Sequence, residues 1–201
     1  MTFTLEIRAA HLREIALELT EPTLPLSDLD RAARDRLPPE VAANWRGIQV
    51  LVAESIVMRR PVVIEPEISH YLTAVIRQRS YQWHTLSHGV ADGERFRSGL
   101  TDNVGGALGI PLAANLVRRP IACLVADAHP YFGWATNQEL RETLSSVDPA
   151  RMPPREQRTA DLHGFVLCIQ AAVDRGYDLV SIYDGSIGAE PAKPAELVGR
   201  S

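Results

Sequence analysis

Lysine is nearly missing from this chain: of 21 basic residues, Lys193 alone is a lysine and the rest are arginine. A skew in coding composition explains that bias as well as function does, although each guanidinium adds a planar fork suited to carboxylates. Cysteine is scarce too. Cys123 and Cys168 each sit inside an apolar run, with no spaced framework for disulfides. Such usage points to a reducing, cytoplasmic setting and to thiols serving as small hydrophobes. No stretch approaches the ~18 consecutive apolar residues of a membrane span. Met1 to Arg8 alternates polar and apolar residues and lacks the basic-then-apolar order of a signal peptide. With a net charge of −4, the chain has no strong field to draw in a polyanion. Nucleic acid and membrane are therefore not the expected partners.

What is present suits one packed unit. The 201 residues, 45% of them hydrophobic, are enough for a single core. Phe3, Leu5 and Ile7 alternate as one face of a strand. Leu12, Ile15, Ala16 and Leu19 then repeat at helical spacing over 9–19 until Pro22 and Pro25 intervene. Ser27 with Asp30 predicts the capped start of a short helix reaching about Arg36. Pro38-Pro39 opens a longer one with Val41, Trp45, Ile48, Val52 and Ile56 on its buried stripe. Val62-Val63-Ile64 reads as a connector, and Pro66 begins a helix carrying Ile68, Leu72, Val75 and Ile76.

Between Ser80 and Pro120 the periodicity fades, with one helix expected from Glu94 towards Leu108. Ile121–Val125 reads as a strand buried on both faces. Thr136 and Glu139 form a capping box, and a further helix runs from Pro153-Pro154 to Arg175, where Gly176 ends it. Asp178–Asp184 is the closing strand. The fold class expected is mixed α/β, a small sheet covered by several helices, with 1–185 as a single domain and 186–201 as a loose tail.

The pieces Ile121–Asp127, His129-Pro-Tyr-Phe-Gly-Trp134, Thr136-Asn-Gln-Glu-Leu140 and Arg175–Tyr183 together resemble the YfbM-like bacterial proteins of unknown function and their actinobacterial relatives. The resemblance covers about a third of the chain. It implies an α/β fold and no assigned activity, so it transfers no catalytic residue.

Two constellations could carry chemistry. His84 and His88 stand four apart after Tyr81 and Trp83; on a helix both imidazoles would share a face and could hold a divalent metal, with Asp92, Glu94, His70 or His129 as third ligand. Thr85 replaces the glutamate that a metalloprotease helix would use as base. Secondly, parallel neighbouring strands at 121–125 and 179–183 would bring Asp127 and His129 to Tyr183 and Asp184 at one carboxyl edge. His129 would be the base between Asp127 and Asp184, with Tyr131, Trp134, Tyr183 and Trp83 available to stack on a ligand. In the alternative reading the carboxylates cap turns and the aromatics close the core. Gly105-Gly106-Ala-Leu-Gly109 has no preceding strand and no following Lys-Ser or Lys-Thr, and no nucleophile elbow occurs, so no cofactor is expected. The basic pairs Arg59-Arg60 and Arg118-Arg119 read as solvated charges at helix ends. Two functions remain open: a small accessory protein that docks a protein partner, or an enzyme or metal-binding protein acting on a small molecule through the histidine and aspartate cluster.

Overall fold

The computed structural model describes residues 2–89, 110–146 and 160–184. Thr2–Ala10 form strand β1, and the sequence's alternation is realised in it: Leu5 and Ile7 enter one apolar cluster while Ala10 enters another on the opposite face. Helix α1 (Leu12–Thr20) follows. Asp30 then caps α2 (Arg31–Asp35), its carboxylate accepting from the Ala33 backbone N–H at 2.7 Å. Ser27 lies instead in a 3-10 turn over Leu26–Asp28.

The helix expected from Pro38-Pro39 comes in two pieces, α3 (Pro39–Ala43) and α4 (Trp45–Val57), which break at Asn44. The Trp45 indole N–H donates to the Leu24 carbonyl at 3.1 Å and ties the start of α4 to the preceding loop. Val41, Trp45, Ile48 and Val52 are buried as the stripe requires. Two-residue strand β2 (Val62–Val63) leads to α5 (Pro66–Gln78), which buries Ile68, Leu72, Val75 and Ile76. Next come β3 (Ser80–Gly89), α6 (Ile110–Val117), β4 (Leu124–Val125), β5 (Tyr131–Ala135), α7 (Asn137–Ser146), α8 (Ala160–Arg175) and β6 (Asp178–Asp184). Gly176, at φ +72°, takes the left-handed turn that ends α8.

The main sheet is antiparallel in the order β3-β1-β6-β5, and β2 and β4 form a separate parallel pair. α1, α4 and α5 cover one face of the main sheet, against Val180, Ile182 and Phe132. α6, α7 and α8 cover the other, against Leu5, Ile7, Leu179 and Tyr183. β6 is central and buried on both faces, which is why its sequence is a continuous apolar run rather than an alternation. Full burial of a side chain such as Ile7 or Leu72 is worth about 1.5–3 kcal/mol. The class is mixed α/β.

Three expectations are corrected. The segment containing His84 and His88 is strand, because residues 80–89 ladder with β1. The strand expected over 121–125 shrinks to Leu124–Val125, with Val125 39% exposed, and its neighbour is β2 rather than β6. The aromatic loop after His129 is itself strand β5, paired with β6 from Tyr131↔Tyr183 to Ala135↔Leu179. The helix expected over 94–108, the start of the helix after Pro153-Pro154, and the tail lie outside the described residues.

One polar knot is built into the covered sheet. Glu6 and Arg8, each 8% exposed, pair with each other on the α5 side of β1. Glu6 also accepts from Arg77 Nη2 at 2.7 Å, and Arg8 Nε donates to Ser80 Oγ at 2.6 Å. Burial alone would raise the Glu6 carboxyl, but the Arg77 and Arg8 guanidiniums outweigh it and hold it below the usual range. Glu18, 2% exposed, accepts from the backbone N–H groups of Thr23 and Leu24 and from Arg79 Nη2 at 2.6 Å. Its carboxyl is likewise lowered, those hydrogen bonds prevailing over desolvation.

Candidate functional site

The carboxyl-edge cluster is only partly assembled. His129 does reach Tyr183, donating from Nδ1 to the Tyr183 carbonyl oxygen at 3.2 Å. It does so because β5 runs antiparallel beside β6, and not through a parallel strand at 121–125. The rings of His129 and Tyr131 lie 4.4 Å apart, those of His129 and Tyr183 5.0 Å apart, and the Arg118 guanidinium sits 4.7 Å above Tyr131. Asp127 is exposed in the loop after β4, and Asp184 ends β6 opposite Thr4. Tyr183 is 1% exposed and belongs to the core, so it presents no face to a ligand.

Trp134 is also committed. Its indole N–H donates to the Pro120 carbonyl at 3.0 Å, and the Arg119 guanidinium stacks 3.4 Å above its ring. Arg119 in turn grips both oxygens of Glu139, at 2.9 and 3.0 Å. Glu139 completes the expected capping box: it accepts from the Thr136 backbone N–H at 2.8 Å while its own N–H donates to Thr136 Oγ1 at 3.2 Å. Arg118-Arg119 therefore clamps aromatic rings rather than merely closing a helix.

The strand placement of His84 and His88 removes the one-turn juxtaposition from which a shared metal was inferred. Four strand residues span about 13 Å, against about 6 Å for a helical turn. His84 lies opposite Ile7 and His88 opposite Phe3, with the ladder regular between them. His70 is on the exposed side of α5, while Asp92 and Glu94 lie outside the described residues. Among the described residues, no three His, Cys, Asp or Glu side chains form a group that could hold a metal ion. Cys168 is buried, which pushes its thiol up to about 12, and Cys123 donates to the Ser55 carbonyl at 3.3 Å. Both cysteines pack as small hydrophobes.

A different group of side chains does converge at the surface. β3 carries a register shift opposite Ile7 and Arg8, so Gln82 pairs with Arg8, His84 pairs with Ile7, and Trp83 is the extra residue. The bulge turns Trp83 towards Tyr177, whose ring it meets edge-on at 5.7 Å. Tyr81 meets the same ring at 6.3 Å, and His11 approaches it at 4.9 Å. The Arg175 guanidinium completes the group 5.5 Å from the Trp83 ring. Asp178 anchors the base, accepting from the backbone N–H groups of Leu12 and Asn137 at 2.9 and 2.8 Å. Tyr81 remains 66% exposed. The surface thus formed is aromatic, flanked by one guanidinium and one imidazole, and held by four segments distant in sequence.

Of this group only Trp83 was singled out as a site residue from sequence. The alternation Tyr81-x-Trp83 is a strand-face signal, but the two histidines that follow invite a helical count. Tyr177 and Arg175 flank the helix-ending glycine, and nothing local joins them to residue 81.

No family model, curated protein or solved structure matches this chain. Among the described residues no helix is long and apolar enough to cross a membrane.

Proposed function

We propose that this chain is a non-catalytic accessory protein that docks a protein partner on the surface formed by His11, Tyr81, Trp83, Arg175 and Tyr177. The observation that carries the reading is the exposure of Tyr81, 66%, on the outside of an aromatic group packed around Tyr177. An isolated exposed tyrosine would need no explanation. Here Tyr81 meets the Tyr177 ring edge-on at 6.3 Å, and Tyr177 is itself packed by Trp83 and His11, so the exposed ring belongs to a preformed aromatic surface. Tryptophan, tyrosine and arginine are also the residue types that dominate binding energy at protein interfaces.

Exposed aliphatic side chains elsewhere, such as Val57 and Met58 at the end of α4, lack that combination of rigid rings and hydrogen-bonding tips. The catalytic reading is less supported. His129 spends Nδ1 on a backbone carbonyl, and Tyr183 and Trp134 are held in the interior or beneath a stacked guanidinium.

The test compares proteins that co-purify with the native chain and with Tyr81→Ala, a truncation of an exposed side chain. A discrete partner recovered with the native chain should fall at least about tenfold with the variant, as expected for loss of an aromatic hot spot. Equal recovery would refute the docking assignment.

A further inference from the structure

On the far side of the main sheet from that surface, the loop before α2 and the ends of α3 and α4 enclose an open groove of about 380 Å³. Leu24, Leu26, Ala42, Ala43 and Trp45 form much of its wall, and its volume falls within the usual range for small-ligand sites. Arg46 is the single ionisable side chain among its described lining residues. That guanidinium lies across the groove, donating from Nη1 to the Pro22 carbonyl at 3.3 Å and to Gln49 Oε1 at 3.2 Å. It makes no ion pair among the described residues. Arg8, Arg77, Arg79 and Arg119, by contrast, each pair with a glutamate.

Gln49 brings a polar group to the lining of the groove. Gln49, 2% exposed, donates from Nε2 to the Leu24 carbonyl at 2.8 Å, beside the Trp45 indole bond to the same oxygen. Behind Trp45, at a ring distance of 5.0 Å, Tyr71 is completely buried, and its hydroxyl has no hydrogen-bond partner among the described residues. Burial raises that hydroxyl's pKa, the Glu18 carboxylate adds to the effect and the Arg46 guanidinium opposes it, so the phenol lies within the field of both charges.

We infer that this groove binds a small monocarboxylate with an apolar body, its carboxylate on Arg46 and its hydrocarbon against Leu24, Leu26, Ala42 and Ala43. A guanidinium fork matches a carboxylate in geometry as well as charge. The apolar walls supply the remaining affinity. A purely apolar ligand would leave Arg46 unused. A dianion or a polyphosphate would meet only one cation.

The probe is hexanoate, with hexanamide as its uncharged counterpart, followed through the Trp45 indole resonance in an NMR titration of the full chain. Hexanoate is expected to shift that resonance saturably and to bind about tenfold more tightly than hexanamide, the scale of one charge-assisted hydrogen bond. In Arg46→Gln the preference for the acid should disappear, and in Arg46→Lys part of it should return. Ala43→Leu, which fills the groove from an exposed position, should weaken both ligands. No saturable shift, equal binding of acid and amide, or unchanged preference in Arg46→Gln would overturn the assignment. So would unchanged hexanoate binding in Ala43→Leu.

Discussion

The imidazole of His84 rests on the backbone of Gly164: a Cβ built at that glycine would stand 2.5 Å from His84 Cε1. A residue first noticed as a metal-ligand candidate is thereby the knob that α8 closes over as it lies on β3. Gly164→Ala should lower stability by about 1–3 kcal/mol through overpacking. In a His84→Ala background the same change should become neutral or stabilising, since alanine is favoured over glycine in a helix by about 1 kcal/mol. Denaturant midpoints of the four proteins in this cycle give the sign directly.

Gly133 is more tightly confined. Its missing Cβ would lie 2.4 Å from the backbone oxygens of both Asn115 and Leu116, where α6 crosses β5. Backbone cannot turn aside as an imidazole can, so Gly133→Ala should cost about 3 kcal/mol or more. Urea unfolding followed by circular dichroism would measure it. An unchanged midpoint would show that α6 does not press on β5 as described.

The Glu6 carboxylate balances two guanidiniums in a place closed to water. Glu6→Gln keeps the shape, removes the charge, and should destabilise by about 3–5 kcal/mol, because Arg8 is then left buried and uncompensated. Glu6→Gln combined with Arg8→Met should recover part of that loss. Thermal or chemical melts of the single and double variants decide the matter.

Acid should unfold the protein for a related reason. The carboxyls of Glu6 and Glu18 lie below their ordinary range when folded, so the unfolded chain binds more protons as the pH falls. Their contribution is fully present above the unfolded glutamate range of about 4.3 and is lost as the pH drops through the folded values. Chemical-unfolding midpoints measured from pH 7 down to pH 3 should therefore decline at the acid end. Glu18→Gln should start lower at neutral pH and decline less steeply.

How much of this was legible beforehand follows from what local pattern encodes. β1, α5, β6 and the Thr136–Glu139 cap were readable because each carries its own period or cap chemistry. β3 was not, because a bulge at Trp83 interrupts its alternation and the histidines four apart match a helix as well as a strand. β5 was hidden by Gly133 and by its aromatic residues, whose burial depends on α6 and β6 arriving from elsewhere. The strand expected at 121–125 failed in the opposite direction: a short apolar run looked central but forms only two ladder positions with β2. The aromatic surface depends on strand register and on the turn after α8, and neither is a property of any one segment.

The docking surface itself is tested most directly by placing a photo-cross-linking amino acid at position 81 in the living source cell, with position 31 as control. Arg31 is 90% exposed in its side chain and sits on α2, which packs through Ala33 against the opposite face of the main sheet from Trp83 and Tyr177. A single discrete protein adduct from position 81, absent from position 31 and competed away when untagged native chain is overproduced, is the predicted result. No adduct from position 81, or the same adducts from both positions, would contradict the account.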